Sequence, residues 1–146
     1  MKYWDSSAIV PLLIEEATTD RMIACLKEDP EMITWWGTEV ESMSAIARLE
    51  REGSLDASET TKATERLREA SLCWNEVQPV AAVREQAKRL LRVHPLRAAD
   101  SMQLAAALIA AEHKPPSLEF VCLDERLTTA AGKEGFALWK VDDARL

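Results

Sequence analysis

The sequence predicts an α/β protein: a three-layer α/β/α sandwich with a mostly parallel central sheet. Short segments of β-branched and aromatic residues alternate with longer segments of helical periodicity, which is typical of a parallel sheet covered on both faces. Acidic residues stand where a predicted strand or loop passes into a helix, at Asp5, Glu41, Asp100 and Asp124. In an open parallel sheet the carboxyl ends of the strands face one crevice. We therefore expect these acids to meet there.

Local signals define the elements of the first half of the chain. Ser6 and Ser7 are good caps for a helix that follows the first strand, and Gly37 ends a run of strand formers. The predicted elements are strands at 2–5 and 32–36 and helices at 8–15, 18–27 and 38–52. The apolar face of the last helix is expected to come from Val40, Met43 and Ala47, with Ile46 as a further candidate.

The second half continues the alternation. Pro79 places its strand at an edge or a strand end, because proline cannot donate a ladder hydrogen bond. The Ala-rich helix at 97–112 is expected to be the most buried. The predicted helices are 56–73, with Leu67, Ala70 and Leu72 inward, 82–91, 97–112 and 125–134, and the strands are 75–80, 119–123 and 137–140.

Composition predicts one soluble domain over residues 1–146, with 47% apolar and 29% charged residues. The apolar run at 104–111 is too short to cross a bilayer, and the N-terminus lacks a secretory signal. We therefore expect a cytoplasmic protein with no membrane association. A net charge of −7 argues against a broad basic face that grips nucleic acid.

The cysteines argue for reduced, buried thiols. Cys25, Cys73 and Cys122 are odd in number, lie far apart and have apolar neighbours. With two histidines and no Cys-x-x-Cys pair, the sequence argues against a zinc site.

Each of the four acids also has a local explanation. Asp5 and Asp124 fit helix N-caps, and Glu41 fits a capping box begun by Thr38. Asp100 lies in the first turn of a helix that is almost wholly apolar after it, so its carboxylate must face a cleft, water or a cation. Four carboxylates in one crevice are stable only if they hold divalent cations or share protons. Their convergence therefore predicts metal-dependent phosphate chemistry.

Other residues near these acids are candidates for substrate contact. Arg97 and Arg126 lie beside the proposed cluster, where either could touch a phosphate or form an ion pair. Trp35 and Trp36 point to opposite faces of an extended strand, which predicts one in the core and one at a surface or interface.

Four segments resemble the PIN-domain family and, within it, the VapC group of toxin ribonucleases. They are YWDSSA (3–8), ESMSAIAR (41–48), HPLRAADSMQLA (94–105) and CLDERL (122–127). The resemblance covers nearly the whole chain. It implies a PIN-like sandwich in which Asp5, Glu41, Asp100 and Asp124 form the catalytic quartet that binds Mg²⁺ or Mn²⁺, with Ser6 or Ser7 supporting the site.

The resemblance also implies an activity and partners. The activity is hydrolysis of RNA phosphodiesters. For this reaction we choose Asp5 and Asp100 as direct metal ligands, and we expect Glu41 and Asp124 to complete the site by orienting water or holding a second ion. The partners are an RNA substrate, a small antitoxin protein that neutralises the enzyme, and a second copy in a homodimer. The chain departs from the family pattern in two places. Cys122 stands where a hydroxyl is frequent, so that contact is expected to be missing, and Gln103 replaces a frequent histidine, which we interpret as a helix-surface or packing variation.

Two other functions stay open at this point. One is a PIN-like domain that binds RNA or protein without cutting it. The other is a phospho-receiver domain, which needs a pair of acids after its first strand, where this chain has Asp5 alone.

Overall fold

The computed structural model of the protein describes residues 1–140, so residues 141–146 of the expected domain lie outside the described residues. Within this range the strands form one sheet of order β3-β2-β1-β4-β5, and every neighbouring pair is parallel. The strands are β1 Lys2–Trp4, β2 Met32–Trp35, β3 Asn75–Val77, β4 Glu119–Val121 and β5 Ala137–Leu138.

The strand order fixes where a ligand would bind. From β1 the chain adds β2 and then β3 on one side and later β4 and β5 on the other. The order therefore reverses between β1 and β4, and in open α/β sheets the ligand crevice lies outside the carboxyl ends of the strands at such a point. A receiver domain has the order 2-1-3-4-5, so the phospho-receiver alternative is wrong.

The helices begin and end within a few residues of their predicted bounds. They are α1 Ser6–Leu13, α2 Thr19–Glu28, α3 Thr38–Arg51, α4 Ala57–Cys73, α5 Ala81–Val93, α6 Ala98–Ala110 and α7 Glu125–Lys133, with a 3₁₀ turn at Pro115–Ser117. In the described range, no helix has both the length and the apolar character needed to span a membrane.

The helices cover both faces of the sheet and confirm the three-layer sandwich. Neighbouring residues of β1 point to opposite faces, as strand geometry requires: Tyr3 packs in the core under α5, α6 and α7, and Trp4 packs in the core under α1 to α4. Tyr3 stacks on Phe120 of β4, with ring centroids 5.3 Å apart. Leu104, Ala105, Ala106 and Ala107 of α6 are fully buried, so the expectation for this helix is confirmed.

Helix α3 turns a different face to the core than the sequence predicts, and one residue of α4 predicted to be buried is exposed. On α3 the buried residues are Thr38, Ser42 and Ile46, whereas Val40 is 71% exposed and Met43 36%. The true stripe has the helical four-residue spacing, but two of its members are polar, so hydrophobicity alone selects the wrong face. On α4, Leu67 is buried as predicted while Leu72 is 75% exposed. Trp35 is buried and Trp36 exposed, as predicted.

Candidate active site

Asp5 and Asp124 lie at the carboxyl ends of β1 and β4, on either side of the point where the strand order reverses. The Asp5 backbone N–H donates to the Val121 carbonyl (2.9 Å), and the Leu123 N–H donates to Ser7 Oγ (2.9 Å). These two hydrogen bonds tie the start of α1 to the loop that leads into α7. The sheet therefore places two of the four predicted acids in one crevice.

Asp5 is almost fully buried, with 4% of its surface exposed. Its Oδ2 accepts hydrogen bonds from the Ser7 backbone N–H (3.1 Å) and from Ser7 Oγ (2.6 Å). Asp5 is thus the N-cap of α1, and the expectation that Ser6 or Ser7 caps this helix is wrong. All of these hydrogen bonds end on Oδ2, and no residue of 1–140 donates a hydrogen bond to Oδ1.

Glu41 lies in the first turn of α3, close enough to Asp5 for the charge of Asp5 to raise its pKa. Burial, together with the negative charges of Asp5 and Asp100, raises the pKa of Glu41 to about 7, against the opposing hydrogen bonds from Gln103 and Ser6. Burial and the charge of Asp100 also raise the pKa of Asp5, although the hydrogen bonds from Ser7 oppose this shift. Carboxylates distant in sequence therefore meet and repel one another at this edge of the sheet.

Asp100, in the first turn of α6, links this pair to Asp124. Burial and the charge of Asp124 raise the pKa of Asp100, whereas Arg97 and Arg126 act in the opposite direction. Asp124 is exposed and accepts a hydrogen bond from the Leu127 N–H (2.9 Å), so it is the N-cap of α7, as its local explanation predicts. The two arginines predicted to lie beside the acids are close enough to act on Asp100.

Gln103 is a site residue that the sequence analysis missed. It is 1% exposed, so its assignment to the helix surface is wrong. Its Nε2 donates to Glu41 Oε2 (2.6 Å) and to Thr38 Oγ1 (2.9 Å), and its Oε1 accepts from the Tyr3 hydroxyl (2.6 Å). A polar residue three positions after Asp100 in an otherwise apolar helix was the signal that could have found it.

Thr38 also has a different role from the predicted one. The N-cap of α3 is Gly37, with no side-chain capping bond, so the capping box of Thr38 and Glu41 does not form. Thr38 is fully buried and accepts from Gln103 instead. The capping role predicted for Glu41 is therefore absent, and its carboxylate accepts a hydrogen bond from Gln103 instead.

Cys122 occupies the position where a hydroxyl contact was expected to be missing. Its Sγ lies 3.6 Å from Asp5 Oδ2, 3.6 Å from Ser7 Oγ and 3.4 Å from the Asp124 carbonyl oxygen. Burial and the charge of Asp5 raise the pKa of this thiol to about 12. The thiol is therefore protonated near neutral pH and replaces the hydroxyl as a weak donor. Of the other cysteines, Cys25 is buried as expected but Cys73 is exposed.

Among residues 1–140, the four acids have no cationic partner at short range. Within residues 1–140, no lysine, arginine or histidine nitrogen lies within 4.0 Å of a carboxylate oxygen of Asp5, Glu41, Asp100 or Asp124. In the same range, no group of three or more His, Cys, Asp and Glu side chains is arranged so that all could hold one metal ion.

Comparison with known proteins gives relatives along nearly the whole chain. Ribonuclease VapC45 and Ribonuclease VapC49, from two strains of Mycobacterium tuberculosis, are each 32% identical to it over 136 residues, which cover 91% of this chain and 90% of the relative. No model of a known protein family matches the sequence.

Solved structures share the fold. FitAB from a complex with an IR36 DNA fragment superposes with a TM-score of 0.64 at 20% identity, over 97% of this chain and 98% of that one. FitAcB from Neisseria gonorrhoeae gives 0.63 at 22%, over 96% and 97%. A toxin–antitoxin complex from Klebsiella pneumoniae gives 0.62 at 16%, over 85% and 87%. The fold and the identity to the two mycobacterial relatives show that this chain belongs to the VapC ribonuclease family of PIN-domain proteins.

Proposed function

We propose that the protein is a divalent-metal-dependent endoribonuclease that hydrolyses RNA phosphodiester bonds and acts as the toxin of a toxin–antitoxin pair. The names of its two mycobacterial relatives support the ribonuclease activity. The observation that carries the metal-dependent chemistry is that burial raises the pKa values of both Asp5 and Glu41, with a further increase from the charge of Asp100 on Asp5 and of Asp5 on Glu41. An arrangement of this kind costs stability unless a bound cation or a shared proton relieves it.

The donor atoms fit Mg²⁺ or Mn²⁺. The candidate ligands are carboxylate oxygens, and the Cys122 thiol beside them is protonated, so the set suits a hard cation. Mg²⁺ usually keeps several waters and takes one or two carboxylates from the protein, so a cage of three or more side chains is not required. Such an ion, when bound, would polarise the scissile phosphate and lower the pKa of a bound water.

Asp5 and Asp100 are the proposed direct ligands. Ser7 holds Asp5 Oδ2, so Asp5 Oδ1 is left to face the crevice. Glu41 is proposed to complete the site, where its carboxylate would orient a bound water or hold a second ion. Asp124 orients water or a second ion from the rim of the site.

Three further residues are proposed to contact the substrate. The hydroxyl of Ser6 reaches Glu41 and lowers its pKa, which supports a role for Ser6 in contacting the reacting phosphate. Arg97 and Arg126 flank Asp100, where guanidinium groups can neutralise phosphate oxygens.

The activity is tested with purified protein and a labelled RNA. We expect cleavage in Mg²⁺ or Mn²⁺ and none in EDTA. If the protein binds the RNA in Mg²⁺ but leaves it intact, the domain is a catalytically silent PIN-like binding module, and the nuclease proposal is wrong.

We further propose an antitoxin partner and a homodimer. A toxin–antitoxin complex shares the fold, and an acidic crevice attracts an inserted Arg or Lys, which would displace the metal and block the substrate. Trp36, Val40 and Met43 are exposed near the start of α3, and apolar surface of this kind suits contact between copies. Light scattering of the purified protein tests the dimer, and co-purification with the protein encoded by the adjacent gene tests the antitoxin.

A further inference from the structure

A cleft of about 280 Å³ opens between α7 and the segment that joins α5 to α6. His94 and Pro95 form one wall. Arg126, Thr129 and Lys133, on α7, form the other. The functional site described above uses Arg126 alone of these residues.

The cleft begins beside the candidate active site. Its α7 wall starts directly after Asp124, the N-cap of that helix. Arg126 lines the cleft and also acts on the charge of Asp100. A chain whose phosphate lies at the four acids would therefore reach the cleft with its next nucleotide.

The cationic side chains of the cleft are available to a ligand. Arg126 and Lys133 are exposed, and neither has a carboxylate oxygen within 4.0 Å among residues 1–140. They lie seven positions apart on α7, nearly two full turns, so both point to the same side of the helix at a spacing of about 10 Å.

The other wall is rigid and its nearby negative charge is already paired. His94 is 6% exposed. Its Nε2 lies 2.7 Å from Glu134 Oε2, and the other oxygen of Glu134 accepts from Arg89 at 2.6 Å. These contacts hold the imidazole in place and pair the Glu134 carboxylate with Arg89 and His94. A preformed wall of this kind lowers the entropic cost of binding.

Two lining groups are suited to a base rather than to a phosphate. Pro95 is exposed and, beside the fixed imidazole of His94, gives an apolar surface against which a base can pack. Glu125 also lines the cleft and would repel a phosphate, but its carboxylate can accept a hydrogen bond from a base N–H or amino group.

We infer that this cleft is a subsite for the nucleotide next to the scissile phosphate, with its phosphate on Arg126 and Lys133 and its base against Pro95. The inference rests on the proposed ribonuclease function, and it specifies where on the protein the RNA next to the cleaved bond lies. It predicts that kcat/KM rises when the RNA extends beyond the cleaved bond, because Lys133 can contact only an RNA long enough to reach it.

The test is the dependence of kcat/KM on RNA length in two matched variants. Lys133→Ala removes a cation from the cleft, and Lys27→Ala removes an exposed lysine from the last turn of α2, the equivalent position of another helix. As the RNA is extended one nucleotide at a time, the wild type and Lys27→Ala should show the same step in kcat/KM. In Lys133→Ala this increase in kcat/KM should be about tenfold smaller. An identical step in all three proteins would overturn the inference.

Binding separates this inference from the proposed function. With a fluorescent RNA in EDTA, Lys133→Ala should bind about tenfold more weakly than Lys27→Ala and should show a salt dependence shallower by about one counterion. If the wild type cuts no RNA in Mg²⁺ but this difference is present, the nuclease proposal fails and the cleft remains an RNA site. If the enzyme cuts RNA and the two variants bind alike, the cleft is not a subsite.

Discussion

Gln103 Nε2 donates a hydrogen bond of 2.6 Å to Glu41 Oε2. The same amide also bonds to Thr38 and to the Tyr3 hydroxyl, so one buried side chain connects β1, α3 and α6 behind the acids. Because Nε2 uses its two hydrogens on Thr38 and Glu41, the amide has one orientation that satisfies all of its partners. Gln103 therefore sets the position of Glu41.

Replacing Gln103 tests this positioning role. Gln103→Leu keeps the volume but leaves the Tyr3 hydroxyl and the Glu41 carboxylate without their buried partner. We expect a loss of about 2–3 kcal/mol in the free energy of unfolding, measured by urea denaturation, and a lower kcat for RNA cleavage. Gln86→Leu, at a partly exposed position of α5, should change neither quantity by much. A Gln103→Leu protein as stable as the Gln86→Leu control would show that the network contributes nothing.

The raised pKa of Glu41 predicts a pH dependence of stability in metal-free protein. Its pKa is 4.5 in the unfolded reference and about 7 in the fold, so the folded state holds a proton that the unfolded state loses. The stabilisation is complete below pH 4.5 and is lost as the pH rises through 7, by roughly 3 kcal/mol at most. Asp5, whose pKa is also raised, contributes with the same sign.

The measurement is the difference in unfolding free energy between the wild type and Glu41→Gln at several pH values in EDTA. The wild type should lose stability relative to the variant between about pH 5 and 8, and saturating Mg²⁺ should reduce that loss. Parallel curves for the two proteins would mean that Glu41 ionises as it does in the unfolded chain.

The cysteines predict a pattern of thiol reactivity. Burial raises the pKa values of Cys25 and Cys122 to about 12, so their thiolates are scarce at pH 8, whereas Cys73 is exposed. In folded protein a disulfide reagent should therefore label one thiol rapidly and the other two only after denaturation. Cys73→Ser should remove the rapid phase. Rapid labelling that survives in Cys73→Ser would contradict the geometry described for Cys122.

Asp5→Asn separates the catalytic role of Asp5 from its capping role. Asparagine caps a helix as well as aspartate does, and the substitution removes a repelled buried charge, so we expect the fold to keep or gain stability. RNA cleavage in Mg²⁺ should fall by more than about 100-fold. Asp56→Asn is the matched control, because Asp56 is the N-cap of α4, and it should keep full activity. Full activity in Asp5→Asn would refute the assignment of Asp5.

The architecture could be predicted from the sequence because its signals are local. Proline, glycine and β-branched runs define the strands and helices, and the acids at the strand ends follow from the crevice rule. The arrangement around Glu41 could not be predicted, because the partners of a polar side chain depend on which helix faces are buried. From the sequence alone, Thr38 is interpreted as a cap and Gln103 as a surface residue. Both interpretations fail because tertiary packing brings α3 and α6 together over β1. The exposure of Val40 and Met43 has the same origin, since small polar residues take the buried stripe of α3.

The central claim is that carboxylates from distant parts of the chain converge to bind a divalent cation. The most direct measurement is the anomalous difference density of a crystal soaked in Mn²⁺. We expect a peak at the crevice between the ends of β1 and β4, bonded to Asp5 Oδ1 and to the Asp100 carboxylate, and absent from Asp5→Asn crystals. A soaked crystal without density at that crevice, and with Asp5 and Asp124 engaged as helix caps alone, would contradict the account.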